Sequence, residues 1–377
     1  MAWLGTWKYR RKITVDNTNV DSDLPHFPVP IVLGDSVGQS SQDLSSIFDE
    51  LTSDANRFKI AITKDDGTTQ IYGDIETWDD ANEKAVIHVA KSDLGITTAT
   101  VTELYIYYDS AQSDNTTYIS DSGGTAAQSV WDDNFVAVYH MAQDPAGGAD
   151  CMLDSTDNLH ITPSGTMLTA DLVDGEIGKA IDFDGTDDGM TGTHDALYNI
   201  KYVTLEVTSY NRTLGSFAGG VAKGDIFGGN NGYEYKIDFH DGNANFKRSG
   251  YGATEESGNV AITQNDWQNW TGVNDGTNIM LYKDGVLRQS GTDSITTLPA
   301  TTKDFKMGEN LAGNYSYDGL FQEVRISDIA RSAPWIKATN YALTDNLLTF
   351  GSEETPTEDL PIEFFKHIRT NHTNLRR

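Results

Sequence analysis

DLVDGEIGKAIDFDGTDDGM, residues 171–190, decides the fold, and YDGLFQEVRI, residues 317–326, repeats its device. Ile181 and Phe183 alternate with polar neighbours, as on a strand with one buried face, and Asp184-Gly185-Thr186-Asp187 then turns the chain tightly. Asp318-Gly319 turns it again ahead of Leu320–Ile326. Working outward, Lys283-Asp284-Gly285 joins Leu281-Tyr282 to Val286-Leu287 as a hairpin, and Trp267 is expected to supply a large side chain to the core. Towards the amino terminus the same pattern holds in residues 3–15, 29–33, 58–62, 84–89 and 101–108, each bounded by turn chemistry such as Asp65-Asp66-Gly67. Residues 43–51 are expected as one short helix.

The chain has 377 residues, long enough for two domains that each bury a core. Abundant Gly, Thr, Asp, Asn and Tyr with short apolar runs predict many short strands joined by polar turns. A formal net charge of −29 argues against nucleic acid, whose phosphates would be repelled. The carboxylates leave room for calcium, although a β protein also carries acids on its turns. Cys151 is the single cysteine, so no intrachain disulfide forms. The amino-terminal residues hold no uninterrupted apolar stretch of the secretory kind, and no run near 18–20 apolar residues exists to span a membrane. These features predict folding in a cytoplasm.

A polar stretch, residues 109–128, divides the chain, so the expected domains are 1–128 and 129–352, followed by a tail, 353–377. The first block, through Trp7–Val15, Phe27-Pro28-Val29, Arg57-Phe58, Asp65–Gly67, Glu76–Trp78 and Leu104–Tyr108, resembles an uncharacterised family found ahead of laminin-G-like domains in bacterial, archaeal and viral surface proteins. The second, through Asp154–Thr156, Gly175–Lys179, Val221–Gly224, Tyr233–Ile237, Trp267, Asp275-Gly276, Leu281–Val286, Met307-Gly308 and Val324–Ser332, resembles laminin-G-like, concanavalin-A-like jelly rolls. The fold class implied is all-β: two β-sandwich domains, the second a jelly roll, plus a short C-terminal tail.

The resemblance implies binding to surfaces, often glycans, and a structural Ca2+ near Asp154 and the penultimate strand, where Gln322 stands in the place of the usual Asp and Glu323 follows. The alternative is that Asp154 caps a turn and Glu323 faces solvent. Asp182, Asp184, Asp187 and Asp188 form a second acidic cluster that is read as turn residues. Candidate glycan contacts are Tyr210, Phe227, Asn230, Tyr251, Asn314 and Tyr315, with Tyr198 and Trp270 as further aromatics. In the tail, Phe364, Phe365, Lys366 and Arg369 make a basic-aromatic peptide suited to docking on an acidic neighbour.

Signals of catalysis are poor. Gly34-Asp35-Ser36-Val37-Gly38 fits the nucleophile-elbow pattern, but the residues after it do not open a helix. The eight histidines show no metal-ligand spacing, and His140 is expected as a hydrogen-bonded core histidine. The expectation is a non-enzymatic structural protein of a bacteriophage virion, a tail-fibre, baseplate or head-decoration subunit with a lectin-like domain. Its partners would be other virion subunits, copies of itself and host-surface carbohydrate, with no nucleic acid and no membrane insertion. A prokaryotic surface adhesin or carbohydrate-binding module is the alternative, and a glycan-degrading enzyme the third reading.

Overall fold

The computed structural model describes residues 2–90, 94–215, 218–224, 233–250, 253–295, 301–308 and 316–356. Almost every element is a short strand. The first sheet runs, in hydrogen-bonded order, Leu348–Glu354, Tyr9–Val15, Glu103–Tyr108, Ile60–Lys64, Gln70–Asp79, Lys84–Ala90 and Val29–Leu33, with Ile119–Asp121 beside Gln70–Asp79. Gln70–Asp79 pairs first with Ile60–Lys64 and then with Lys84–Ala90. One long strand thus carries the sheet over its own core, where Ile13, Ile62 and Ile106 share an interior with Val29, Ile31 and Ile87.

The second sandwich has two sheets. One is ordered Leu172–Asp174, Lys179–Asp184, Asp318–Ser327, Val203–Asn211, Trp267–Asn274, Asn278–Lys283 and Val286–Thr292, with Phe135–Tyr139 also on Asp318–Ser327. The other is Thr162–Ser164, Gly189–Gly192, Phe305–Met307, Ala218–Gly224, Tyr233–His240, Asn243–Gly250 and Ala253–Glu256. Phe183, Leu205, Ile237, Phe246, Trp270 and Phe321 fill the space between them. The hairpin at Asp284-Gly285 has both residues left-handed, φ +54° and +74°, which matches the twist of the strands it joins.

Two expectations are corrected. Trp267 is half-buried, and Trp270 is the fully buried core residue. Three residues apart on one strand, the two rings face opposite sides of the sheet. Gly272 confirms which side is inward, because a Cβ there would lie 2.2 Å from the Phe246 ring. The second correction concerns the boundary at 352. Leu348–Glu354 is hydrogen-bonded to Tyr9–Val15 of the first sandwich, with Ile13 opposite Phe350 and Val15 opposite Leu348. An unforeseen helix, Ala333–Leu343, delivers it. Ser332 caps that helix by accepting from the Trp335 N–H at 3.4 Å. Trp335, Ala338, Leu348 and Phe350 all join the first core, and Trp335 meets Phe27 edge-on at 4.9 Å. The expected helix at 43–51 forms over Ser46–Leu51.

Candidate functional site

Two groups of side chains are candidates for function. The first is a row across four adjacent strands. Register puts Asp182 opposite Leu320, Leu320 opposite Tyr210, and Tyr210 opposite Trp267. All four side chains are half-buried and share the outer face. The Tyr210 and Trp267 rings lie 5.6 Å apart at 59°. Arg212 closes the row: its Nη1 donates to Asp182 Oδ2 at 2.8 Å and its Nε to Asp318 Oδ1 at 2.7 Å. Asp182, and then Asp318 against a burial penalty, hold the guanidinium pKa above its usual value. Two aromatic faces beside a fixed carboxylate and guanidinium offer stacking and directional hydrogen bonds to a polyhydroxylated ligand.

The second place is buried where the two sandwiches meet. Lys84–Ala90 is buried at six of its seven positions because both its faces are covered: Ile87 and Val89 point into the first core, Val86 and His88 away from it. Asp74 stands opposite His88 on the neighbouring strand, and Glu76 sits in the irregularity between Ile75 and Thr77. From the other sandwich come His140, just past Phe135–Tyr139, and Glu323 and Arg325. A bulge sets these directions. Thr208 pairs with Glu323 and Ser209 with Phe321, leaving Gln322 as the extra residue. Phe321 and Val324 can then both face the core while Glu323 turns out.

His140 is fully buried and bonded at both ring nitrogens: Nδ1 is 2.7 Å from Glu323 Oε2, and Nε2 is 3.2 Å from Asp74 Oδ2. The expected satisfied histidine is therefore present, though in an interface and not in a sandwich core. Asp74 also accepts from Trp131 Nε1 at 2.9 Å and Ser122 Oγ at 3.0 Å. Arg325 Nε donates to Glu323 Oε1 at 2.6 Å. His88 stacks on His140, rings 4.3 Å apart, and its Nε2 is 2.8 Å from Glu76 Oε2. Gly178 must be glycine, at φ +60°, since a Cβ would fall 2.0 Å from Glu76 Oε1.

Burial opposes a charge on His140, but Glu323 and Asp74 outweigh it and raise its pKa well above the ordinary imidazole value. For His88, burial and then the neighbouring His140 push the pKa well down. Burial pushes Glu76 up to about 8. Glu323 goes the other way, because His140 and Arg325 overcome its burial.

The remaining sequence candidates fall as follows. Asp154 is fully buried, and its carboxylate accepts from the N–H groups of Val138, Thr156, Asn158 and Leu159 and from the Thr156 hydroxyl. Gln322 Oε1 accepts from the N–H groups of Glu176 and Ile177 at 2.6 and 3.2 Å. Glu323 faces His140. Each of the three residues expected at a Ca2+ thus has another task, and only Glu323 belongs to a converging group. Among the described residues, two such groups of His, Cys, Asp or Glu exist: Glu76, His88, His140 and Glu323, and the turn acids Asp184, Asp187 and Asp188. Tyr198 is buried, bonded to Tyr139 at 2.9 Å. Phe227, Asn230, Tyr251, Asn314 and Tyr315 lie outside the described residues, as do Phe364, Phe365, Lys366 and Arg369. Residues 34–36 form bends, and no helix follows before Ser46.

Sheet order defines two β-sandwiches, the larger of them C-terminal. The family model for the concanavalin A-like lectin/glucanases superfamily matches residues 202–337. No curated protein matches the chain. Similar solved structures include domain 4 of an extracellular arabinanase from Geobacillus stearothermophilus, in complex with arabinotriose, at 20% identity and TM-score 0.43 over 54% of this chain and 97% of that one. The binding domain of botulinum neurotoxin DC in complex with SialylT aligns at 13% identity and TM-score 0.42, over 56% of this chain and 52% of that one. The binding domain of Paraclostridial mosquitocidal protein 1 aligns at 15% and 0.43, over 56% and 52%. The chain thus spans about half the length of these last two binding domains.

Proposed function

We propose that the chain is a non-enzymatic structural protein that binds glycans through its lectin-like domain, and that its setting is a bacteriophage virion, where it meets host-surface carbohydrate. The observation that carries the binding is the row Asp182, Leu320, Tyr210 and Trp267 with its Arg212 fork, on the outer face of a concanavalin A-like sandwich. The buried histidines support binding without turnover: His88, His140, Glu76 and Glu323 bond to one another with side chains at most 3% exposed. Support for the virion setting is the resemblance of the first block to a family of surface proteins that includes viral ones. A fold with one cysteine also needs no oxidising compartment for assembly.

The test is calorimetric titration of the full chain with purified host-surface polysaccharide, beside Trp267→Ala. The expected result is at least a roughly tenfold loss of affinity, about 1.4 kcal/mol, at unchanged melting temperature. Unchanged affinity in both Trp267→Ala and Tyr210→Ala would remove the row as the binding face, and shortened polysaccharide would show an enzyme. Mass spectrometry of purified particles tests the virion setting independently.

A further inference from the structure

We propose that Glu76, His88, His140 and Glu323 bind a transition-metal cation, with Zn2+ the best match, which staples the two sandwiches together. Each side chain brings one donor atom to within 4.8 Å of the other three. Glu76 and His88 come from the first sandwich, His140 and Glu323 from the second, so a bound ion would bridge them.

The donor chemistry selects the ion. Two imidazoles and two carboxylates in a buried four-donor set suit Zn2+, whereas Ca2+ seeks six to eight oxygens. The His140 Nδ1 to Glu323 Oε2 separation is 2.7 Å, His88 Nε2 to Glu76 Oε2 is 2.8 Å, and His140 Nδ1 to Glu76 Oε2 is 3.7 Å. A tetrahedral zinc has ligand edges of roughly 3.3–3.5 Å, so the two close pairs open by about half an ångström to admit it.

Three further features point to a cation. Glu76 Oε1 is buried without a hydrogen-bond partner, so the cluster holds acceptor capacity that no protein donor uses. Formal charge runs the same way. With both imidazoles neutral and all three carboxylates ionised, the state in which they would ligate a metal, Asp74, Glu76 and Glu323 against the one permanent cation Arg325 leave two negative charges, which one divalent ion would balance. Finally, the outer groups are those that orient metal ligands. Asp74 takes the far nitrogen of His140 and is itself fixed by Trp131 and Ser122, while Arg325 fixes the far oxygen of Glu323.

The experiment uses the full chain without an affinity tag, stripped with EDTA and titrated with Zn2+ and, as a spectroscopic probe, Co2+. The expected result is one equivalent bound per chain and the intense visible bands of tetrahedral Co2+. The melting temperature should rise on the order of 5 °C at a hundredfold excess of Zn2+ over its Kd. In a folded His88→Gln variant the Co2+ bands and the rise should vanish, while His240→Gln, at a half-buried position outside the cluster, should keep both. X-ray absorption on the Zn2+-loaded native chain gives a second reading that needs no variant: a mixed nitrogen and oxygen shell with two histidines is expected. The proposal is overturned if the folded native chain takes up neither ion and melts identically with and without EDTA. Bands that persist in folded His88→Gln, or a shell without histidine, overturn it equally.

Discussion

Replacing Asp154 by Asn removes one charge and almost no volume from a site that closes the second sandwich. Oδ1 accepts the N–H groups of Val138 at 2.8 Å and Thr156 at 2.9 Å. Oδ2 accepts the Thr156 hydroxyl at 2.6 Å, Asn158 N–H at 3.1 Å and Leu159 N–H at 3.0 Å. The site thereby fastens the loop after residue 154 to the strand Phe135–Tyr139. The amide keeps one oxygen and turns an NH2 towards donors. If that oxygen takes the Oδ2 position, two bonds are lost and two buried N–H groups face another donor. Hydrogen bonds to a charged group contribute about 1.5–3 kcal/mol each, so the expected loss is about 3–6 kcal/mol. The assay is urea unfolding followed by near-ultraviolet circular dichroism, with and without EDTA. A Cm that falls equally in both conditions at constant slope supports the anchor role. A loss under about 1 kcal/mol refutes the hydrogen-bond argument, and a loss that disappears in EDTA would make Asp154 a calcium ligand instead.

Asp345→Asn tests a titrating group in a cleft where the sandwiches meet, lined by Leu33, Val86, Gly175 and Ile177. Asp345 accepts the Gly38 N–H at 2.6 Å, holds φ +53°, and burial pushes its pKa up to about 6 from 3.8. The native state thus binds this proton more tightly than the unfolded chain, so stability falls as pH rises from about 4 to about 6 and is flat above. Asn keeps the acceptor and tolerates the left-handed backbone, so it should flatten that segment and raise stability at pH 7 by at most about 3 kcal/mol. Identical melting profiles for the two proteins between pH 4 and 7 would refute this. Gly272→Ala should cost about 1–3 kcal/mol in urea unfolding, because its Cβ would meet the Phe246 ring at 2.2 Å inside the sandwich. An unchanged Cm would mean that the two sheets yield more easily than their packing implies.

Strands were legible where a short apolar run is bounded by turn residues. Val29–Leu33 has the bounds its apolar run predicts, and Lys84–Ala90 is one residue longer than expected. What alternation does not encode is the partner. Leu348 and Phe350 alternate as on any edge strand, yet their hydrogen-bonded neighbours are Val15 and Ile13, more than 300 positions away in the chain. Nothing local distinguishes that from pairing within the second sandwich. The Trp267 error was avoidable, since the three-residue offset to Trp270 already puts the two rings on opposite faces. The interface residues were hidden for a different reason. Asp74, Glu76, Glu323 and Arg325 fall on the polar face of their strands, which an isolated sandwich would give to solvent. A signal did exist: the near-continuous apolar run AVIHVA at residues 85–90 implies burial on both faces, and a histidine inside such a run needs a partner from elsewhere.

The interface divides its work between apolar and charged groups. Trp131, Phe135 and Trp335 join the core of the first sandwich, and that burial supplies adhesion without fixing direction. Direction comes from the charges. Moving one sheet by a single residue against the other would break the pairs that cross the junction, His140 with Asp74 and with Glu76, and breaking one buried pair costs about 3–5 kcal/mol. The pairing of Leu348–Glu354 with Tyr9–Val15 constrains the same orientation independently. The row Asp182, Leu320, Tyr210 and Trp267 lies on the outer face of that docked sheet, and Leu320 shares its strand with Glu323 and Arg325. One end of the face is spent on holding the first sandwich while the other stays open, so the open aromatic row is presented at a fixed angle to the first sandwich. For the proposed binding row, display at a fixed angle means less ordering entropy lost on binding than display on a free hinge.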